Sequence, residues 1–531
     1  MNDSNTDPRN SIHRLPLRDT YLLIAGLLGG FGLFIVLALG VFSGAQATYA
    51  KPPPDPALTG HFGRMFHLPP FAPPNNAVRD ALMQLGSPGG IMDANDDLAA
   101  GPVALITDPN LSLINRNNPT HTAGVTFFGQ FIDHDMTFDQ RSRLGFPTQP
   151  ITSQNARTCF FDLDSVYAGG PGGNPELFDP ADPIKFLIES GGQFEDLPRD
   201  PINHVAIIGD PRNDENMIIA GLHAAFLLFH NHAVDLIRTQ YPGIPDNDAY
   251  LQAQRLTVWH YEWMILHEFL PHVVPQSVID DVLTNGRHFY NPLHNEAFIP
   301  VEFQITYRFG HSMVRPSYRA NLHGDNGQPF FGMIFDPAGE GSPDPVDLRG
   351  GARAPRRFIG WQTFFDFGGV YSADVRPNKR IDTIVSTPLF HLPLGTIFTG
   401  MPPDSLMQRN LLRCLTWSLP SGQRIANEMG IPPLSNSELG AIRASFVDST
   451  PLFYYILKEA QLREDGLFLG PVGARIVAEV FVGLLQLDPG SYLSVQPNWV
   501  PTLPTHDGTP ESFRMIDFLT FAGVDPISRG Q

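Results

Sequence analysis

Apolar residues return every three or four positions through Asn216–Arg238, Leu251–Leu270, Leu406–Leu415 and Pro471–Leu485. That period predicts helices, whereas the alternation expected of half-buried strands is scarce. Between the helical runs, 51 prolines and 49 glycines predict a loop-rich chain. The expectation is a mainly α fold with little β, and 42% hydrophobic residues suffice for a sizeable core.

The N-terminus has a different pattern. No charged residue occurs from Thr20 to Ala50, and the apolar run Tyr21–Phe42 is long enough to cross a bilayer as a helix. Arg9, Arg14 and Arg18 precede it, which suits a cytoplasmic N-terminus. Ala45-Gln46-Ala47 resembles a signal-peptidase site. The expected organisation is therefore a cytoplasmic segment 1–20, a transmembrane anchor or long signal peptide 21–43, a Pro-rich linker 44–60 and one domain 61–531. The body is expected outside the cytoplasm, anchored to the membrane if the segment stays and secreted or periplasmic if it is cleaved.

A net charge of −19 argues against a nucleic-acid partner and suits cation binding. Two cysteines, Cys159 and Cys414, give neither a disulfide framework nor a Cys-based zinc motif, and their pairing is open.

The chemistry concentrates in a few segments. FGQFIDHDMTFD, Phe128–Asp139, sets three acids and a histidine among aromatics, where unpartnered charge is costly. If Val125–Asp135 is helical, Gln130 and His134 share a face and Asp133 lies about 100° round from His134. On its own residues, His134 could be a metal ligand, a general base or a satisfied core histidine. GDPRNDENM, Gly209–Met217, leads into a helix carrying His223, His230 and Asn231. ITYRFGHSMVRP, Ile305–Pro316, RNLLRCLTWSLP, Arg409–Pro420, and RTCFFDLDSVYAGG, Arg157–Gly170, complete the set. Two decoys fall away. His230 and His232 point about 200° apart on a helix. In HEFLPH, His267–His272, the histidines are five apart around Pro271, unlike a zinc H-E-x-x-H, and the stretch is expected to end the Leu251–Leu270 helix.

In their order along the chain the five segments resemble the animal-type haem peroxidase superfamily, with this chain a short, bacterial-type member; the likeness runs from about Pro70 to Pro504. The resemblance implies a helical domain, 61–531, with haem b buried between central helices. It makes His134 the acid–base group and Arg212 the cation that assist peroxide cleavage, with Gln130 near a halide position. Asp133 and Glu215 would form ester links to haem, and Asn216 stands where some relatives have a methionine that makes a further link. His311 would bind the haem iron, with Asn410 accepting from its other ring nitrogen and Arg413 and Arg308 meeting haem propionates. Asp135, Thr158, the Phe160 carbonyl, Asp162 and Asp164 would hold Ca2+. The implied activity uses hydrogen peroxide to oxidise halide, thiocyanate or small organic donors through a ferryl intermediate. Two alternatives stand beside it. A fatty-acid dioxygenase of this superfamily would need a tyrosine three residues before His311, where Arg308 stands and Tyr307 is one residue early. The other is a non-catalytic adhesion or interaction protein on the same fold.

Overall fold

The apolar period that begins at Met217 becomes a 24-residue helix, Met217–Gln240, buried on most of its circumference. Asn216 caps it, its Oδ1 accepting from Ile218 N at 3.1 Å and Ile219 N at 3.0 Å, which satisfies two of the otherwise orphaned first-turn donors. The helix is long and apolar enough to cross a membrane, but most of it is enclosed by the rest of the fold. That is the pattern of a core helix. Phe226 stacks on Phe131 with centroids 4.3 Å apart, and Phe229 on Phe518 at 4.1 Å.

This computed structural model describes residues 60–531, apart from 112–113, 325, 352–353, 398–399, 441 and 443. The Tyr21–Phe42 run and the Pro-rich linker up to Thr59 lie outside the described residues. Helix accounts for 46% of the structure and strand for 10%, so the fold is mainly α. The strands form only two-stranded sheets among the described residues.

Three expected helices appear within two residues of their periodic runs: Met217–Gln240, Leu406–Thr416 and Pro471–Leu487. The Phe128–Asp139 segment lies largely on a fourth helix, Gly124–Met136. The run Leu251–Leu270 differs. Its helix begins at Asp246 and does not end at Leu270; after Met264 it widens into a π turn, Ile265–Phe269, and resumes as Leu270–Val273. Leu270 N–H bonds the Ile265 carbonyl, five residues back. Widening the turn displaces the carbonyls that the Pro271 ring would otherwise strike, so the chain passes the proline without stopping.

Candidate active site

The Gly124–Met136 helix fans three consecutive polar side chains into three surroundings, because each residue turns about 100° from the last. His134 is buried, and its Nδ1 stands 2.8 Å from Asn213 Oδ1. Burial, then the Arg212 charge, pushes its pKa down to about 3, so the ring is neutral. Half-buried Asp133 accepts from Thr137 Oγ1 at 3.1 Å. Burial raises its pKa, against the opposing pull of Arg212 and Arg308. Asp135, fully buried, accepts from Leu163 N at 3.1 Å and from Ser165 Oγ at 2.9 Å.

A short 3-10 turn, Pro211–Asp214, delivers Arg212. Asp210 caps that turn, accepting from Arg212 N at 2.9 Å and from the same guanidinium through Nε at 3.0 Å and Nη2 at 2.8 Å. Arg212 Nη2 also donates to the His134 carbonyl at 2.8 Å, and the guanidinium lies 4.1 Å from the Phe138 ring centroid. Arg157 Nε meets Asp210 from the other side at 2.8 Å. Burial works against the Asp210 carboxylate, but these two cations outweigh it and hold its pKa well below the usual range. Glu215 is half-buried, and its charge acts on Arg212. Behind it the Glu215 carbonyl accepts from Gly350 N at 3.1 Å. A methyl group at Gly350 would overlap the Asp214 carbonyl, so only glycine permits this approach. Gln130, half-buried, accepts from the capping Asn216 Nδ2 at 3.2 Å.

Across from this group, a helix Val301–Thr306 tightens into the 3-10 stretch Tyr307–Met313 that carries His311. Burial, then Arg308, then His134 push the His311 pKa down to about 3, so the two histidines lie within electrostatic reach of each other. Asn410, on the Leu406–Thr416 helix, places Nδ2 2.8 Å from His311 Nδ1, while its Oδ1 accepts from Arg308 Nη1 at 3.2 Å. The expected acceptor of the His311 ring thus turns its oxygen to Arg308, which has only donors to offer. Burial, then Arg413, lowers the Arg308 pKa to about 10, and its Nε is buried without a hydrogen-bond partner. Arg413 Nη1 is 2.7 Å from Asp139 Oδ2. Tyr307 is buried and donates to the Gly129 carbonyl at 3.1 Å.

Beside the Gly124–Met136 helix, one carboxylate oxygen each from Asp135, Asp162 and Asp164 lies within 4.8 Å of the others. Thr158 Oγ1 donates to Asp162 Oδ1 at 2.7 Å, and Thr158 N to Asp164 Oδ2 at 2.9 Å. Burial, then Asp162, pushes Asp135 up to about 7 and raises Asp164 strongly. Asp164 Oδ1 is buried with no hydrogen-bond partner. Phe160 lies in the same loop, half-buried.

The structure therefore brings His134, Arg212, Asp133, Arg308 and His311 into one electrostatically coupled group, with Glu215 acting on Arg212, Gln130 joined to it through Asn216, and Asn410 and Arg413 beside Arg308. Sequence reading gave no role to Asp210, Asn213, Asp139 or Phe138, although Asp210 and Asn213 sit inside the quoted GDPRNDENM. An Asp two residues before an Arg, at the head of a turn, was the available signal. Cys159 and Cys414 are both buried, and no disulfide joins them. His230 lies between Tyr167 Oη at 3.0 Å and the Ile184 carbonyl at 2.9 Å, and His232 faces the Phe521 carbonyl.

A family model described as "Animal haem peroxidase" matches residues 142–338, a span that includes Arg212, Glu215 and His311 but neither His134 nor Asn410. The chain is 24% identical to human "Probable oxidoreductase PXDNL" over 219 residues, 37% of this chain and 15% of that protein. It is 25% identical to a "Peroxidase-like protein" of Margaritifera margaritifera over 302 residues, 43% of this chain and 37% of that one. It thus spans well under half the length of both. Peroxidase A from Dictyostelium discoideum has a similar fold, with a TM-score of 0.54 at 16% identity, covering 78% of this chain and 88% of that chain.

Proposed function

We propose, on the premise that this chain belongs to the animal haem peroxidase superfamily, that it is a peroxidase that uses hydrogen peroxide to oxidise a small anionic or organic donor. The observation that carries this reading is the pairing of His311 with Asn410 and of His134 with Arg212, with His134 within electrostatic reach of His311.

The residues present suit a haem. An added Cβ at Gly310, beside His311, would meet nothing within 4 Å, so there is open room at that point. Gln130 and Asp133 are half-exposed on the otherwise buried helix Gly124–Met136, and Arg212, Glu215, Arg308 and His311 are half-exposed as well. The orphaned Nε of Arg308 is a buried cationic donor suited to a carboxylate. His311 would hold the iron through Nε2, a state that needs the Asn410 amide to turn its oxygen from Arg308 to a proton on His311 Nδ1. Arg308 and Arg413 would meet the propionates, and Asp133 and Glu215 would form the ester links. Bound haem would supply the iron that binds peroxide and accepts its oxidising equivalents.

The chain's own groups then have defined tasks. Neutral His134 would take a proton from one peroxide oxygen and return it to the departing oxygen. Arg212, held by Asp210 and the His134 carbonyl, offsets the negative charge that develops there. Gln130 lies on the same face as His134, suitably placed for a small anion. Asp135, Thr158, the Phe160 carbonyl, Asp162 and Asp164 would hold Ca2+, and the unpartnered Asp164 oxygen fits that hard-oxygen set. The uncharged N-terminal run would take this domain out of the cytoplasm.

Purified chain from porphyrin-fed cells should show a strong violet absorption band and oxidise a dye only with peroxide. His311→Ala should lose the band. His134→Gln should keep it and slow the peroxide reaction by about 100-fold or more. A colourless wild-type protein refutes the reading. Haem that survives denaturing extraction in the wild type, but not after Asp133→Ala with Glu215→Ala, supports the ester links; retention in that double variant refutes them.

A further inference from the structure

Arg212 and its neighbour Asn213 leave the same 3-10 turn, and both reach the residue on which the proposed chemistry depends. Asn213 is wholly buried, with Oδ1 2.8 Å from His134 Nδ1 and Nδ2 2.9 Å from His223 Nδ1. His223 is wholly buried too, one face of the long Met217–Gln240 helix carrying it inward. The three side chains form a closed line, histidine to amide to histidine.

An amide has one acceptor end and one donor end, so the line has a direction. With its oxygen toward His134, Asn213 accepts a proton held on Nδ1 of that ring. The opposite ring nitrogen, Nε2, is then a bare lone pair. A general base for peroxide needs that state, and the other tautomer would present a proton where one must be received. The far end of the line sets the direction. His223 Nδ1 takes the amide hydrogen, which puts the His223 proton on Nε2, an atom buried without a hydrogen-bond partner. Phe131 packs against the His223 ring with centroids 6.3 Å apart.

We propose that Asn213 is a positioning residue for His134, holding it as the Nδ1–H tautomer with Nε2 free, and that buried His223 fixes the direction of the Asn213 amide. This rests on the peroxidase reading, in which His134 is the base. The reading itself assigns no role to either residue.

Histidine-selective 15N spectra of the full-length chain test the arrangement without turnover, the His134 signals being identified by their loss in His134→Gln. Wild type should show the proton on Nδ1, and Asn213→Ala should show it on Nε2 or exchanging between the two. His223→Leu, which removes the acceptor for the amide, should behave like Asn213→Ala. His223→Gln retains an acceptor and should restore the wild-type pattern. An Nε2 proton in the wild type overturns the proposal, as does an unchanged ring in Asn213→Ala or equal behaviour of the two His223 variants. In haem-loaded protein, Asn213→Ala should react with peroxide about 10- to 100-fold more slowly at unchanged violet absorption, and an unaltered rate counts against it. Absence of haem or of peroxide reactivity in the wild type would sink the peroxidase reading instead, and the ring spectra would still decide the place of the proton.

Discussion

Two arginines meet on the single carboxylate of Asp210: Arg157 at 2.8 Å and Arg212 at 2.8 Å. Neither cation has much access to water, so removing the anion leaves two buried charges facing each other. Asp210→Asn should therefore cost about 3 kcal/mol of stability, read from urea unfolding, and should slow the peroxide reaction because Arg212 loses its anchor. A loss below about 1 kcal/mol would show that the arginines find other partners. At this scale the sequence displayed the candidate reacting groups and hid their holders. His134, Arg212 and His311 are picked out by the resemblance of their segments to the peroxidase superfamily. Asp210 and Asn213 read as ordinary turn-formers until the turn is folded against the Gly124–Met136 helix.

Acids from elsewhere in the chain satisfy backbone donors in a loop and at a helix end. Glu479, on the Pro471–Leu487 helix, accepts from His288 N at 3.0 Å, Phe289 N at 2.7 Å and Tyr290 N at 2.9 Å. Glu479→Ala would orphan these donors, with an expected cost of about 3 kcal/mol in urea unfolding; a change under about 1 kcal/mol would mean that water replaces the carboxylate. Glu459 accepts from Val472 N at 3.0 Å and Gly473 N at 3.3 Å, in the first turn of that same helix. Burial nevertheless pushes its pKa up to about 7, from an ordinary 4.5. The folded state thus keeps a proton that the unfolded chain gives up, and the associated stability is lost as pH rises from about 4.5 through about 7. Glu459→Gln has no such linkage. Between pH 5 and pH 8 its unfolding midpoint should fall less than that of the wild type, and parallel curves would refute the assignment. The helices themselves were legible in the apolar period, whereas the π turn at Ile265–Phe269 was not, because a proline alone signals an end and only the fold shows a detour.

Over the whole molecule the acidic surplus has a focus. Asp135, Asp162 and Asp164 converge beside the site, and Asp135 is held near neutral pKa by burial and by Asp162. Calcium at about 100 times its Kd should stabilise the fold by about 2.7 kcal/mol, and a chelator should remove that gain. Asp164→Asn should weaken the effect, and a midpoint indifferent to both calcium and chelator would exclude a structural cation there. The sequence by itself determined the mainly α class and the positions of the principal helices, and it named the candidate reacting side chains, because periodicity and short motifs are local properties. Tertiary structure alone decided which groups meet: Asn213 with His134 and His223, Asp210 with two arginines, Asp139 with Arg413, and the Asn410 oxygen with Arg308. The reason is physical. Burial and a partner from a distant element set a side chain's charge and hydrogen-bond direction, and neither is encoded within one segment.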